Sequence, residues 1–133
     1  ETFEITDSID GIICGNDDLA NNAIRALSEH RMAGQVAVVG QDADLIACQR
    51  VVEGIQTMTV YKPIGKLASI AAESAVKLGQ GEELDTEYSI NDGTYEVPYI
   101  KLEPVAVTKD NIDQVIIDSG FHLKEDVYLN TSE

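Results

Sequence analysis

Three dipeptides carry the chemistry this sequence could do: Asn16-Asp17, Gln41-Asp42 and Tyr61-Lys62. Each follows a short apolar run: Ile12-Ile13-Cys14, then Val36-Ala37-Val38-Val39-Gly40, then Thr57-Met58-Thr59-Val60. Asn both donates and accepts hydrogen bonds, an ionised Asp only accepts, and Lys only donates. A small polyol needs that mixture, because each hydroxyl gives one hydrogen bond and takes others. An Asp can accept from two neighbouring hydroxyls, a Lys can donate to a hydroxyl or ring oxygen, and charge-assisted bonds are the stronger ones. The same residues have plainer uses. Asn16, Asp17 and Asp42 are all good helix N-caps, and Lys62 beside Pro63 could simply be solvated.

The elements that must hold these dipeptides read as alternating strands and helices. Ile12 to Cys14 is an all-apolar run bounded by Gly, which predicts a strand covered on both faces. Leu19, Ala23, Ile24 and Leu27 follow at helical spacing, with His30 and Arg31 in the last turn and Gly34 placed to end the helix. A second strand over Val36–Gly40 leads into a helix with Leu45, Ile46, Val51 and Val52 inward and Gly54 at its close. Thr57–Val60 is a third strand. Pro63 suits the first helical position of a third helix, which runs through Leu67, Ile70 and Val76 to Gly79. This alternation predicts an α/β fold with a parallel sheet and right-handed crossovers. In such a sheet ligands sit beyond the carboxyl ends of the strands, so the three dipeptides should share one edge.

The pattern changes after Gly81. Glu82–Asn91 is acidic and polar, and Asn91-Asp92-Gly93 is a strong turn signal. Val97–Leu102 reads as a strand, with Pro98 arguing for an edge position. Pro104–Val107 reads as extended chain. Asn111–Ser119 reads as a short helix with Ile112, Val115 and Ile116 inward, stopped by Gly120. The tail from Phe121 to Glu133 reads as loosely held.

Composition excludes several classes of function. The 133 residues carry 9 Lys+Arg against 24 Asp+Glu, a net charge of −15 at pH 7. Nucleic-acid phosphates repel such a chain, and it has no local basic cluster to offset the repulsion. Hydrophobic residues make up 44% of the chain and recur periodically, which argues against disorder. No apolar run is long enough to cross a membrane as a helix. The opening residues, Glu1-Thr2-Phe3-Glu4, have neither the basic nor the apolar region of a secretory leader. Cys14 and Cys48 make no disulfide framework and read as buried thiols. No phosphate-binding glycine loop, HExxH or GxSxG motif is present. His30 sits on a helix end and His122 in the tail, and neither falls in a strand-end loop. Asp42 and Asp44 lack the further ligands of a Ca²⁺ loop. No metal, cofactor or catalytic residue is therefore assigned.

The runs Gly40-Gln41-Asp42-Ala43-Asp44-Leu45 and Gly54-Ile55-Gln56-Thr57-Met58-Thr59-Val60-Tyr61-Lys62-Pro63-Ile64 carry a resemblance to a known family. So do Asn16-Asp17 and Asp118-Ser119-Gly120-Phe121-His122. They resemble the D-xylose-binding proteins of ABC sugar transport, within the ribose/galactose group of periplasmic-binding-protein-like folds. The resemblance spans essentially the whole chain. The Gln-Thr-Met-Thr-Val-Tyr-Lys-Pro run is specific, whereas the Asn-Asp and Gln-Asp loop ends are shared across the wider group.

That resemblance implies a three-layer, parallel-sheet lobe of a type I periplasmic-binding-protein-like fold, incomplete as a fragment. It implies a βαβαβ segment of the C-terminal lobe over residues 1–61. Residues 62–96 would form a crossover helix and turn packing on a separate N-terminal lobe, and residues 97–133 would return to the C-terminal lobe, hinge and tail. The helix carrying Leu67, Ile70 and Val76 would then lack its partner. Asn16, Asp42 and Lys62, with Asp17 beside them, would contact a monosaccharide, D-xylose or a related pentose. The implied partners are the membrane subunits of an ABC transporter, or a membrane sensor such as a histidine kinase, and the rest of the same protein. The implied location is extracytoplasmic, in the periplasm or lipid-anchored at the outer face of the membrane. An effector domain of a LacI-type repressor shares the fold but is disfavoured by the specific run. An enzyme acting on a pentose is disfavoured because no acid/base pair is spaced for the work.

Overall fold

Gly11–Ile13 forms β1 and Ala37–Val39 forms β2, paired in parallel with Gly11 opposite Ala37 and Ile13 opposite Val39. These strands belong to a computed structural model that describes residues 8–131, so the opening segment Glu1–Glu4 lies outside the described residues. β3, Thr59–Tyr61, joins β2 through a parallel bridge between Val39 and Met58. The Thr57 N–H donates to the Val38 carbonyl at 2.9 Å, and the Gly40 N–H to the Met58 carbonyl at 3.1 Å. β6, Val105–Val107, then pairs with β3 in the antiparallel sense, Tyr61 opposite Val105. The first three strands are parallel, as the βα alternation predicts. The fourth is not, because the chain leaves at Tyr61 and re-enters directly beside it, so it must run back along β3.

Between β1 and β2 lies α1, Asp17–Glu29. Its buried stripe is Ala20, Ile24 and Leu27, packed with Val36 and Val38. Leu19, expected inward, is 56% exposed, and the stripe begins one residue later. The helix also ends earlier than Gly34 suggested. Arg31 takes the left-handed position, at φ 59°, with its N–H bonded to the Ser28 carbonyl and the Met32 N–H to the Leu27 carbonyl. Those two bonds are the paired closure that usually calls for glycine. Helix α2, Leu45–Glu53, buries Ala47, Cys48, Val51 and Val52, while Ile46 faces out. Gly54 ends it in the left-handed conformation at φ 79°. β1 is covered on one side only: Ile13 is 90% exposed, against the expectation of a strand buried on both faces.

The described part of the tail, up to residue 131, is packed rather than loose. Asp113–Ile117 forms a π-helical turn, and Lys124–Val127 forms a short helix, here α4. Ile112, Ile116 and Val127 join Ala43, Cys48, Val51, Val52 and Val107 in one buried cluster. The Gln49 side-chain amide donates to the Asp126 carbonyl, and the Asn130 amide to Glu53, each at 2.9 Å. The tail's apolar anchors are single residues among charges, without a period that a pattern could reveal.

The chain divides into two compact units. The first contains the described residues up to Lys62 and from Val105 onward; the second is Pro63–Pro104. In the second unit, helix α3 spans Ile64–Gly79 with Pro63 at its N-cap. Strands β4, Tyr88–Asn91, and β5, Glu96–Tyr99, make an antiparallel hairpin. Its turn is the expected Asn91-Asp92-Gly93, with Gly93 at φ 98° and Asp92 accepting from the Thr94 and Tyr95 N–H groups. β4 was not expected from its polar composition; it forms because its partner strand and turn fix its register. β5 is held by β4, and the first unit resumes at Val105. No residue from 63 to 104 is buried, and Leu67 and Val76 stay more than half exposed.

Candidate functional site

The polar loop ends are stitched into one edge by backbone hydrogen bonds. The Asp17 N–H donates to the Gln41 carbonyl at 2.8 Å, and the Asp42 N–H to the Val60 carbonyl at 2.9 Å. The Gln41 side chain adds a long contact to the Gly15 carbonyl at 3.4 Å. Asn16, Asp42 and Lys62 are therefore brought to neighbouring positions by the sheet itself.

Asp42 and Lys62 form an ion pair, Lys62 Nζ to Asp42 Oδ1, at 2.7 Å. Both side chains remain accessible, at 38% and 46% respectively. Among the described residues the second carboxylate oxygen of Asp42 has no partner. Asn16 caps α1, its Oδ1 accepting from the Leu19 N–H at 2.9 Å. That bond settles which end of the amide is oxygen, and it leaves the NH₂ without a partner among the described residues. Asn16 is thus a cap and a presented donor at once. The edge offers an amide donor, an ammonium and a carboxylate in one accessible row.

Asp17 is different. It is 4% exposed and turned into the core. Its carboxylate accepts from Thr59 Oγ1 at 2.8 Å, from Gln56 Nε2 at 3.0 Å and from the Asp44 N–H at 3.0 Å. With its oxygens engaged in hydrogen bonds to three neighbouring segments, Asp17 serves as a scaffold for the edge, unlike the accessible Asp42 and Lys62. A Cβ on Gly40 would overlap Asp17 Oδ1, so glycine at that position makes room for the buried carboxylate.

The loop bearing Asp42 has an uncommon backbone. Asp42 and Ala43 both have positive φ, at 105° and 54°. Two consecutive non-glycine residues in this region are strained and persist only where their surroundings over-determine them. Here the Ala43 N–H donates to Thr59 Oγ1 at 3.1 Å and the Asp44 N–H to Asp17. His122 Nε2 lies 2.8 Å from the Ala43 carbonyl oxygen. The carbonyl can only accept, so Nε2 carries the proton.

The local field is acidic. Burial first, and then the charges of Asp17, Asp18 and Asp42, raise the Asp44 carboxyl above its usual range, with His122 acting in the opposite direction. Burial, then Asp17 and Asp44, pushes the Cys48 thiol up to about 12, and burial followed by Asp17 raises Cys14. Cys48 is wholly buried and Cys14 half-buried, and neither is placed for nucleophilic work. Among the described residues no group of three or more His, Cys, Asp or Glu is arranged to hold a metal ion. Thr59, Gln56 and His122 were not singled out as site residues from sequence. Thr59 and Gln56 lie in the specific run of the resemblance, but nothing local to His122 signals that it reaches Ala43.

The family described as "Periplasmic binding protein domain" matches residues 3–83. The D-xylose-binding periplasmic protein of Haemophilus influenzae is 50% identical over 121 residues, covering 91% of this chain and 36% of its own length. The D-xylose-binding periplasmic protein of Escherichia coli is 46% identical, covering 90% and 36%. The chain thus spans about a third of the length of the curated relatives it matches. Among solved structures, a carbohydrate transporter solute binding protein from Chloroflexus aurantiacus in complex with D-glucose superposes with a TM-score of 0.78 at 33% identity, covering 87% of this chain and 34% of that one.

Proposed function

This chain belongs to the family of periplasmic binding protein domains, and on that premise we propose that it forms part of a sugar-capturing protein of ABC transport, with D-xylose or a related pentose as ligand. Asn16, Asp42 and Lys62 contact the sugar, and Asp17 holds the loop that presents Asp42. The observation that carries this reading is the accessible Asp42–Lys62 pair on the same sheet edge as Asn16, whose NH₂ has no partner among the described residues. Together they supply the donors and acceptors that adjacent hydroxyls require. No chemical step is involved: the protein binds, closes and releases. Closure of two lobes around the sugar would trap it for delivery to the transporter's membrane subunits, outside the cytoplasm. Pro63–Pro104 belongs to the opposite lobe in this reading, which accounts for a helix and hairpin without a buried residue. The names of the relatives support the sugar and the location.

Calorimetric titration of the full-length protein carrying this sequence, with xylose, ribose, arabinose and glucose in turn, tests the proposal. Xylose should bind tightly, and Asp42→Ala should raise Kd by roughly ten- to a hundredfold, the cost of a charge-assisted hydrogen bond. A folded protein that binds no pentose would sink the assignment.

A further inference from the structure

We propose that His122 is a positioning residue for the sugar edge: from the tail it locks the left-handed Asp42-Ala43 turn and so keeps Asp42 aimed at its ligand. The geometry turns on one peptide unit. The Ala43 carbonyl and the Asp44 N–H belong to the same peptide plane. His122 Nε2 holds the carbonyl at 2.8 Å, and the buried Asp17 carboxylate holds the N–H at 3.0 Å. The preceding plane is held through the Ala43 N–H by Thr59 Oγ1 at 3.1 Å.

A left-handed pair such as Asp42 and Ala43 relaxes by rotating these planes, and a plane gripped at both polar atoms cannot rotate without breaking two hydrogen bonds. The Ala43 carbonyl also accepts from the Cys48 thiol of α2 at 3.4 Å, and His122 is the holder that the tail contributes. Asp17 and Thr59 form part of the sheet's own packing. His122 is itself fixed. Its ring lies 4.5 Å from that of Phe121, and Phe121 meets Tyr61 edge-on at 4.8 Å. The Phe121 N–H is bonded to the Ile116 carbonyl at 3.1 Å. One tail segment therefore braces both halves of the ion pair, Asp42 through Ala43 and Lys62 through its neighbour Tyr61.

The ligand-binding consequence rests on the reading given under the proposed function; the locking of the turn does not. Two measurements on the full-length protein separate them. His122→Phe keeps a ring and removes the donor, and His122→Gln offers a side-chain N–H in its place. In ligand-free His122→Phe, amide hydrogen exchange at Ala43 and Asp44 should rise about tenfold, while the α1 amides of Ile24 and Leu27 stay unchanged. The xylose Kd should rise about three- to tenfold, the net worth of one hydrogen bond, and His122→Gln should recover part of both. Unchanged exchange at Ala43 and Asp44 would overturn the proposal. A rise shared equally by the α1 amides would overturn it too, by showing only general loosening. Selective exchange in a wild-type background that binds no pentose would uphold the locked turn and overturn the sugar reading alone.

Discussion

A single buried carboxylate organises the edge on which the polar residues stand. Asp17 opens α1, yet its donors are Thr59 of β3, Gln56 before β3, and the Asp44 backbone after β2. Removing it would leave the buried Thr59 hydroxyl and the part-buried Asp44 N–H without this acceptor and Gln56 Nε2 with only the Met58 carbonyl, and each unsatisfied buried group costs about 1–3 kcal/mol. Asp17→Ala should therefore destabilise the protein by about 3 kcal/mol, read as a lower urea midpoint at unchanged slope. An effect below about 1 kcal/mol would mean that water replaces the carboxylate. Asp42 and Lys62, by contrast, are accessible, and their exposed pair contributes little to folding. Residues that sit side by side in sequence thus divide between scaffold and surface: Asn16 and Asp42 present groups outward, while Asp17 is turned in.

At the scale of the element, helix endings show where sequence rules hold and where packing overrides them. Gly54 ends α2 in the left-handed conformation that glycine adopts without strain, as its position suggests. Arg31 ends α1 in the same conformation, at φ 59°, although Gly34 was the obvious candidate. The helix stops early because the Leu27 and Ser28 carbonyls are satisfied there, with Leu27 already buried. Arg31→Gly should raise stability by about 0.5 kcal/mol, the relief of left-handed strain less the entropy of a more flexible unfolded chain. Gly54→Ala should lower it by about 1 kcal/mol. Thermal unfolding of the two variants side by side checks both signs, and a stabilising Gly54→Ala would contradict the account. The tail makes the reverse point: α4 is too short and too charged to be read as a helix, yet Val127 anchors it in the core.

At the scale of the whole molecule, burial divides unevenly between the two units. The first holds both buried clusters. The second, Pro63–Pro104, contains a 16-residue helix with no buried residue and a hairpin exposed along both strands. Local opening is cheap where few apolar contacts resist it. In this 133-residue chain, amides of Pro63–Pro104 should exchange with solvent well before those of α1 and β2, as mass-resolved hydrogen exchange would report. Equal protection of α3 and α1 would show that the apolar residues of α3, Leu67 and Val76 among them, are covered in solution. The net charge of −15 adds self-repulsion and keeps the surface hostile to polyanions, but it selects no ligand.

Most of the fold was legible locally. Apolar runs bounded by glycine, helical spacing and turn residues located β1, β2, β3, α1, α2, α3 and the hairpin turn, because each depends on period and backbone preference within a few residues. The shared edge of Asn16, Asp42 and Lys62 was legible too, since strand ends in a parallel sheet converge by topology. What sequence could not decide depends on partners distant along the chain. The antiparallel sense of β6 follows from where the chain re-enters, and the pairing of β4 follows from β5. The inward turn of Asp17 and the reach of His122 to Ala43 follow from packing. Hydrogen bonds spanning 27, 42 and 79 positions carry the last two. No local pattern encodes such separations, because their energy appears only once the sheet and tail have closed around the loop.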